Sequence, residues 1–469
     1  MGGVALVVDV ASGVTPEVVD VASGVMPEVV DVASGLVSEV GVVAAWPGPV
    51  APEGTAALPQ AASSRPSTTI SAMRIRISPL WFGTIPEHNI QTYGIASEFP
   101  LAVNAQRLKN HKKPMTIYLE ERLPGPILNE RRPLANELFL SNYLLATYGG
   151  CEFACQYCDL HVTMDRPLGE TTRVFVDAPR RIADELAHID EGDTVGLLLT
   201  DAYQPAERTY RITRKVLSHL AEFGQPTVIL TKSPMIVEDL ETIKLLNERA
   251  MAIVIFTLLT LDAGLSEKLE GKAPNPALRL DAIRTIHRAG IPVGVAMLPI
   301  IPYVTDSTSQ ITRTLTRIAE VGADFVVWDH LGIPNERHKE RIDDMLSRIG
   351  RFPSSYYRDI YGDKPYPGPE YRRKIDAEII RRADLLGLDV RVPHRIFHRR
   401  ISPKNEISLL LRHQAFRDAT QGRQHLAQLH RSLAEQAYRG LFDHVRMMQS
   451  PLWSMLQTIM EPPRVPQID

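Results

Sequence analysis

The sequence predicts an α/β protein whose core is a partial barrel of six strand–helix units. After residue 140, short apolar runs alternate with amphipathic stretches. Apolar strands separated by helices of about 10–15 residues are the pattern of parallel βα units. The chain has 469 residues, of which 44% are hydrophobic, so it can bury one large α/β core. Six units that close on themselves would make a partial (β/α)6 barrel, and an open doubly wound sheet is the alternative.

Each predicted strand is a short apolar run, and a predicted helix follows each of the first five. Such runs are typical of strands that are buried on both faces of a parallel sheet. The predicted strands span residues 142–147, 194–200, 227–231, 252–258, 293–298 and 324–328. The predicted helices span residues 178–188, 206–223, 237–249, 276–289 and 309–321.

The N-terminal part of the chain differs from this core. Residues 8–35 repeat Val-Asp-Val-Ala-Ser-Gly with a period of 11, and three such short repeats cannot build a solenoid. We expect residues 1–72 to be a disordered extension, or the product of an upstream start with Met73 as the native first residue. A small folded repeat module is the alternative. We expect residues 73–135 to pack on the barrel.

The predicted core ends near residue 335, and residues 336–469 are predicted to be a mostly helical extension. Helices are predicted near 336–349, 372–386 and 406–448, a Tyr/Pro-rich loop at 356–371, and a loose tail at 461–469. Segment 391–400 is basic, with Phe397 between the charges. It could contact phosphates and a base, or form a solvated charged face.

The three cysteines of the chain lie together at Cys151, Cys155 and Cys158. Three thiolates on one loop can hold three corners of a [4Fe–4S] cluster and leave the fourth iron open. Because every cysteine is in this one run, metal binding is favoured over disulfides. The alternative is a closed zinc site in which His161 is the fourth ligand.

Polar residues recur where the predicted strands end, which is the rim where a barrel of βα units carries its active site. The cysteines follow the first strand. The later strands end at or contain Thr200-Asp201, Lys232, Thr257, Met297-Leu298-Pro299 and Asp329-His330. We therefore expect a bound cofactor at this rim.

Each of these residues also has a purely structural interpretation. Lys232 could be a surface lysine, and Asp201 could cap a helix or form an Asx turn. Glu207 could favour the positive end of a helix, and Glu270 and Arg279 could form an ion pair. The remaining rim residues could line a substrate pocket or pack as ordinary rim residues: Tyr203, Gln204, Tyr303 and His330.

The cysteine run, with Tyr157 directly before the last cysteine, resembles the signature of radical S-adenosylmethionine (radical SAM) enzymes. Later motifs, taken in order, resemble the spore photoproduct lyase-like branch, whose members are often labelled DNA repair photolyases. The similarity covers about residues 140–330. The motifs are Thr200-Asp-Ala-Tyr-Gln-Pro-Ala-Glu207, Leu230-Thr-Lys-Ser233, Glu270-x3-Pro274-x4-Arg279-Leu280, Ala289-Gly-Ile-Pro-Val293 and Pro299-Ile-Ile-Pro302.

This resemblance implies a radical SAM barrel that reductively cleaves SAM at a [4Fe–4S] cluster to generate a 5′-deoxyadenosyl radical. It implies an electron donor such as flavodoxin or ferredoxin. Lys232 is suited to meet the SAM carboxylate as a point charge, and Asp201 is a further candidate for cofactor binding at the same rim. Thr200 and Thr257 could hydrogen-bond the amino-acid part or the ribose, while Tyr157 would shield the cluster near the adenine.

One departure from the branch limits the expected chemistry. Spore photoproduct lyase uses a further cysteine near the end of the second strand, whereas this chain has Leu197-Leu-Leu-Thr200 there and no fourth cysteine. We therefore do not expect repair of spore photoproduct by that route. Tyr203 is our candidate for returning a hydrogen atom instead. Glu270-Gly271 also replaces the Glu-Pro that is common in the branch.

The substrate is open at this stage, since a fold does not decide it. A nucleic-acid lesion or base is one candidate, and a peptide or small metabolite is another. Residues 1–72 carry seven acidic residues and one basic residue, Arg65. The rest of the chain therefore has three more basic than acidic residues. This weakly favours anionic partners.

Three clustered cysteines fit a reducing compartment, so we expect a cytoplasmic protein. No apolar run reaches the roughly 18 residues of a membrane span. The alternative function, from another class, is a non-catalytic protein in which zinc stabilises the fold and the basic C-terminal half contacts nucleic acid.

Overall fold

The computed structural model describes residues 75–76, 116–123, 125–130, 138, 141–159, 169–350 and 356–461. The predictions for residues 1–72, for His161 and for nearly all of the tail 461–469 therefore lie outside the described residues. The domain boundaries that we expect at residues 135 and 335 stay predictions.

A mixed α/β architecture built on a parallel sheet is present, so the predicted fold class is confirmed. In chain order the strands are β1 (Ile75–Arg76), β2 (Ile117–Glu121), β3 (Leu128–Glu130), β4 (Tyr143–Leu145), β5 (Tyr148–Gly149), β6 (Thr171–Phe175), β7 (Val195–Leu197), β8 (Thr227–Thr231), β9 (Ala252–Thr257), β10 (Val293–Ile300), β11 (Phe325–His330) and β12 (Asp389–Val390). The large sheet has eight strands in the order β3-β4-β7-β8-β9-β10-β11-β12. All neighbours pair in parallel except β3 and β4.

Two strands of the large sheet were not among the six that the sequence predicted. β12 extends the parallel order beyond β11, and β3 adds an antiparallel edge. A second sheet of four strands, in the order β1-β2-β6-β5, was not predicted. In the described part of the chain β3 and β12 are the two edges of the large sheet, so the barrel is open there.

The helices connect the strands and continue after the sheet. They are α1 (Ala178–Leu186), α2 (Glu207–Tyr210), α3 (Ile212–Phe223), α4 (Leu240–Arg249), α5 (Ala263–Glu270), α6 (Pro276–Arg288), α7 (Thr308–Glu320), α8 (Glu336–Arg348), α9 (Tyr356–Tyr361), α10 (Pro369–Leu385), α11 (His394–Phe397), α12 (Pro403–Thr420), α13 (Gln424–Tyr438), α14 (His444–Met447) and α15 (Trp453–Met460). A 3-10 helix, Pro234–Asp239, precedes α4. No helix in the described ranges has the length and apolarity to cross a membrane.

Two predicted elements differ from the structure. The helix predicted over 206–223 is divided between α2 and α3 at Arg211, whose backbone is left-handed with φ of +53°. The buried carboxylate of Glu207 accepts the backbone N–H groups of Thr213 and Arg214, both at 3.0 Å. The carboxylate thereby satisfies two N–H groups at the start of α3 that have no partner within the helix. This agrees with the interpretation that Glu207 stabilises the positive end of a helix. The Tyr/Pro-rich loop predicted over 356–371 was wrong at both ends, because its start is helix α9 and helix α10 begins at Pro369.

The two faces of the large sheet pack against different parts of the chain. Val254 and Phe256 of β9 belong to one core cluster with the helices between the strands, for example with Ile283 of α6. The alternate residues of the same strand, Ile253 and Ile255, belong to a second cluster with the C-terminal helices α11 to α13 and α15. These C-terminal helices therefore cover one face of the sheet at β8 to β11.

Candidate metal and cofactor site

The three cysteines line a cleft at the carboxyl ends of β7, β8 and β9. Cys155 is buried, and Cys151 and Cys158 are half-buried. The cleft contains about 540 Å³ of space between atoms, part of which is open to solvent. Its lining residues are Cys151, Phe153, Ala154, Cys155, Tyr157, Cys158, Leu198, Leu199, Thr200, Asp201, Leu230, Thr231, Lys232 and Thr257.

Backbone contacts fasten the cysteine loop to the end of α5. The N–H of Gln156 donates to the carbonyl of Leu269 at 2.8 Å, and the N–H of Lys272 donates to the carbonyl of Phe153 at 2.9 Å. Between them, Gly271 has φ of +57°, and a Cβ there would lie 2.7 Å from the Phe153 carbonyl oxygen. Only glycine combines this backbone conformation with so close an approach, which accounts for Gly271 in place of the proline common in the branch.

The residue after the first cysteine fastens the other end of the loop. The carboxylate of Glu152 accepts the N–H of Ala206 at 2.7 Å and the hydroxyl of Tyr118 at 2.9 Å. The side chain of Gln204 accepts the N–H of Glu152 at 2.9 Å and donates to the carbonyl of Gly150 at 3.1 Å. Gln204 is buried and supports the loop from behind. Sequence reasoning did not single out Glu152.

A buried ion pair lies beneath Tyr157. The Tyr157 hydroxyl donates to Glu270 at 2.7 Å, and the opposite oxygen of Glu270 is 2.5 Å from the Arg279 guanidinium. Arg279 also donates to the Thr257 carbonyl at 3.0 Å. The structural interpretation of Glu270 and Arg279 is thus correct, and their ion pair connects the cysteine loop to β9. The opposite charges of Glu270 and Arg279 within one sequence motif were the available signal, but they did not show Tyr157 as the partner of the pair.

The ion pair also sets the charge states around Tyr157. Burial raises the pKa of the Glu270 carboxyl, but the positive charges of Arg279 and Lys232 outweigh it and hold that pKa below its usual value. Burial and the negative charges of Cys155 and Glu270 raise the pKa of the Tyr157 hydroxyl well above its usual value. Tyr157 is therefore a neutral hydrogen-bond donor to an ionised carboxylate.

Lys232 lies at the cleft and is half-buried rather than a surface lysine. Its ammonium nitrogen is 5.9 Å from the centre of the Tyr157 ring. Burial lowers the pKa of the ammonium group, but the negative charges of Cys155, when it is a thiolate, and of Glu270 outweigh this, so the pKa lies above its usual value. A full positive charge therefore faces the cleft beside the cysteines.

Asp201 holds the loop that carries Lys232. One carboxylate oxygen accepts the Thr231 hydroxyl at 2.7 Å and the Tyr203 N–H at 3.0 Å. The other accepts the Lys232 backbone N–H at 2.7 Å. The bond to Tyr203 is the Asx-turn contact of the structural interpretation. Asp201 lines the cleft, but both of its oxygens already have protein donors.

The other predicted residues divide into those at the cleft and those away from it. Thr200 and Thr257 line it, and the Thr200 hydroxyl donates to the Tyr148 carbonyl at 2.9 Å. Tyr203 is buried and is not among the lining residues. Its hydroxyl faces Asp239. Burial raises the pKa of the Tyr203 hydroxyl well above its usual value, and the negative charge of Asp239 raises it further. The geometry therefore does not support Tyr203 as a hydrogen-atom donor to a ligand in the cleft.

His330 and Tyr303 also lie outside the cleft lining. The Nε2 atom of His330 is 3.0 Å from the Asp376 carboxylate, which also accepts the Trp328 indole N–H at 2.7 Å. His330 thus makes ordinary rim packing contacts. Tyr303 is 47% exposed and has a left-handed backbone with φ of +59°.

The donor set of the cleft fits an iron–sulfur cluster. Burial raises the pKa of the Cys155 thiol to about 12 and that of Cys151 further. These sulfurs are therefore poor thiolates unless a metal cation compensates their charge. Soft sulfur ligands in a set of three match a cluster with one open iron. Lys232 and two threonines adjoin the sulfurs, where a ligand of that iron would lie.

Comparison with known proteins agrees with this chemistry. The model of the radical SAM superfamily matches residues 145–316, which include the cysteine run and the strands that form the cleft. The chain belongs to the radical SAM superfamily and is a radical SAM enzyme, as the cysteine motif predicted. The family implies a [4Fe–4S] cluster and SAM.

Individual proteins are also similar to this chain. An uncharacterized protein of Mycobacterium tuberculosis (strain H37Rv) is 30% identical over 280 residues, which are 57% of this chain and 79% of that protein. An uncharacterized protein of Methanocaldococcus jannaschii is 26% identical over 170 residues, 35% of this chain and 63% of the other. A spore photoproduct lyase complexed with dinucleoside spore photoproduct is 13% identical and matches with a TM-score of 0.46, over 58% of this chain and 81% of that one.

Proposed function

We propose that Cys151, Cys155 and Cys158 hold a [4Fe–4S] cluster and that SAM binds in the cleft beside it. When both are bound, the cluster supplies an electron and SAM supplies the 5′-deoxyadenosyl radical that takes a hydrogen atom from the substrate. The observation that carries this proposal is the lining of one cleft by all three cysteines of the chain and a charged lysine.

The residues around the cysteines have distinct roles in this proposal. The ammonium group of Lys232 binds the carboxylate of SAM as a point charge. The hydroxyls of Thr200 and Thr257 orient the amino-acid part or the ribose. Asp201 acts indirectly, because it holds the backbone of Lys232 in place. Tyr157, fixed by Glu270, covers the cluster and helps to exclude water from the reaction.

The partners follow from the reaction class. An electron donor such as flavodoxin or ferredoxin would reduce the cluster. The ordered motifs favour a nucleic-acid lesion as the substrate, while a peptide or small metabolite is the competing class. The basic segment 391–400 gives this choice little support, because Arg395 pairs with Asp324 and Asp389. Arg400 donates to the carbonyls of Asn247 and Ala250.

The test is anaerobic reconstitution of the full chain with iron and sulfide, followed by reduction with dithionite in the presence of SAM. We expect brown protein, four iron atoms per chain if one cluster is bound, and release of 5′-deoxyadenosine. Alanine at any one of the three cysteines should abolish both the cluster and the nucleoside. Ser218→Ala, an exposed change of similar size, is the control and should retain both.

The competing zinc site predicts a different metal content, with zinc at the cysteines in place of iron. No iron after anaerobic reconstitution, together with a zinc ion that is lost when the three cysteines are changed to alanine, would overturn the proposal and favour a structural Cys3His site. The substrate class is tested separately with deuterated candidates. Deuterium recovered in 5′-deoxyadenosine identifies the substrate that loses hydrogen. Salt-dependent binding to DNA or RNA should accompany a nucleic-acid substrate.

A further inference from the structure

A second group of metal-ligating side chains lies away from the cysteine cleft. His394 and His398 are one helical turn apart at α11, and Glu406 is in the first turn of α12. One ligand atom from each of the three lies within 4.8 Å of the other two. The mechanism proposed above uses none of these residues.

The contacts within this His/Glu cluster converge on one oxygen atom. The Nε2 atom of His394 is 2.6 Å from Oε1 of Glu406, and the Nδ1 atom of His398 is 2.8 Å from the same oxygen. The other oxygen, Oε2, accepts the Arg399 backbone N–H at 3.0 Å. That bond fixes the orientation of the carboxylate, as groups behind metal ligands commonly do.

Burial is graded across the cluster. The Glu406 side chain is 2% exposed, that of His394 24% and that of His398 42%. One side of the group is therefore anchored in the protein and the other is open to solvent. Such an arrangement allows an ion to enter and allows water to complete its coordination.

Neighbouring positive charges are directed to other groups. Arg395 pairs with Asp389 and with Asp324, and the Arg400 guanidinium binds two backbone carbonyls. The Arg391 guanidinium lies over the Phe416 ring, 3.9 Å from its centre. The carboxylates of Asp389 and Asp324 offset the charge of Arg395, while the partners of Arg400 and Arg391 lie outside the His/Glu cluster.

The location separates this cluster from the cysteine cleft. Arg400 binds the carbonyls of Asn247 and Ala250, just before β9 begins, and the N–H of Ser402 donates to Gly192, just before β7. The segment between α11 and α12 thus lies at the amino ends of the parallel strands. The cysteines lie at their carboxyl ends.

We propose that His394, His398 and Glu406 bind one divalent transition-metal ion, with zinc as the first choice. Two imidazole nitrogens and one carboxylate suit zinc, nickel, cobalt and copper, and do not suit magnesium or calcium. Three protein ligands leave a fourth position for water. At this end of the sheet the ion links α11 to α12 and so stabilises the packing of the C-terminal helices. The proposal does not depend on the function proposed for the cysteines.

The test is zinc binding by the untagged full chain after cluster reconstitution, measured by competition with a chromophoric chelator and by elemental analysis. We expect one zinc per chain in addition to the iron. His398→Ala, a change at a partly exposed ring, should weaken zinc binding by at least about tenfold. His425→Ala, at an exposed histidine outside the cluster, should leave binding unchanged.

A second variant keeps the two metal sites distinguishable. With Cys151, Cys155 and Cys158 all changed to alanine, the full chain should still bind one zinc, and adding His398→Ala should remove it. Zinc should also raise the melting temperature of the unsubstituted chain but not that of His398→Ala. No zinc bound by the variant that lacks all three cysteines, or equal binding by His398→Ala and the unsubstituted chain, would show a hydrogen-bonded His–Glu–His group without metal.

Discussion

Glu270 is a buried side chain beneath the cleft that links several residues around the cysteine loop. Its two oxygens receive Tyr157 on one side and Ser266 and Arg279 on the other, and it is 2% exposed. A buried ion pair of this kind is costly to break, because removal of one charge leaves the other without compensation. Glu270 therefore couples the stability of the core to the position of the cysteine loop.

Glu270→Gln tests this coupling. Glutamine keeps the size of the side chain but removes its charge, so Arg279 is left buried without an anion. We expect the free energy of unfolding to fall by about 3–5 kcal/mol, measured by urea denaturation. Glu267→Gln, an exposed position on the same helix, should change it by less than about 0.5 kcal/mol. Equal stability of the two variants would contradict the role of the pair.

Lys232→Met tests the proposed contact with SAM. Methionine keeps most of the apolar stem and removes the ammonium group. We expect SAM binding to weaken by about 1.5–3 kcal/mol, the value of a hydrogen bond to a charged group, with iron content unchanged. Calorimetric titration of SAM into the reconstituted enzyme measures this. Lys244→Met, on α4 away from the cleft lining, is the control; unaltered affinity in Lys232→Met would remove the proposed role.

At the scale of elements, the strands and the chemistry at their ends were predictable, and the supporting contacts were not. Residues 227–231 were predicted as a strand and form β8 with the same limits, because an apolar run between a proline and a polar loop has few alternatives. The break at Arg211 was not predictable, since it depends on Glu207 capping α3. The second sheet pairs short strands far apart in sequence, and no local pattern reveals such pairing.

Gly294 of β10 shows how closely one element can approach another. A Cβ at this position would lie 2.3 Å from the Phe325 ring of β11. Gly294→Ala should therefore lower the free energy of unfolding by about 1–3 kcal/mol through overpacking, as measured by urea denaturation. Gly264→Ala, in helix α5 with 3.4 Å to the nearest atom, should be neutral or slightly stabilising. A neutral Gly294→Ala would show that Phe325 moves freely.

For the whole molecule, the C-terminal helices are part of the core. Phe397, Leu411 and Leu433 pack in one cluster with Ile255 of β9 and Phe325 of β11. The sequence predicted that this region is helical, but an apolar helix face does not identify the surface that it covers. The candidate cofactor residues were easier to find, since equivalent ends of parallel strands meet at one rim. The network of Glu152 and Gln204 behind the cysteines depends on this assembled fold.

Phe397→Ala tests the contribution of the C-terminal helices. The ring is fully buried, and its removal should lower the free energy of unfolding by about 3–5 kcal/mol, measured by urea denaturation of the full chain. Leu385→Ala, at a side chain that is 71% exposed, should have an effect below about 0.5 kcal/mol. Similar small effects of both changes would mean that the C-terminal helices contribute little to the core.

Several contacts that hold the cysteine loop do not involve the cysteine side chains. The backbone N–H groups of Gln156 and Lys272 donate to backbone carbonyls across the loop. Glu152 and Gln204 add buried side-chain hydrogen bonds. None of these bonds needs a metal. Alanine at one cysteine should therefore leave these contacts in place, so that loss of the cluster in such a variant would report a missing ligand and not a displaced loop.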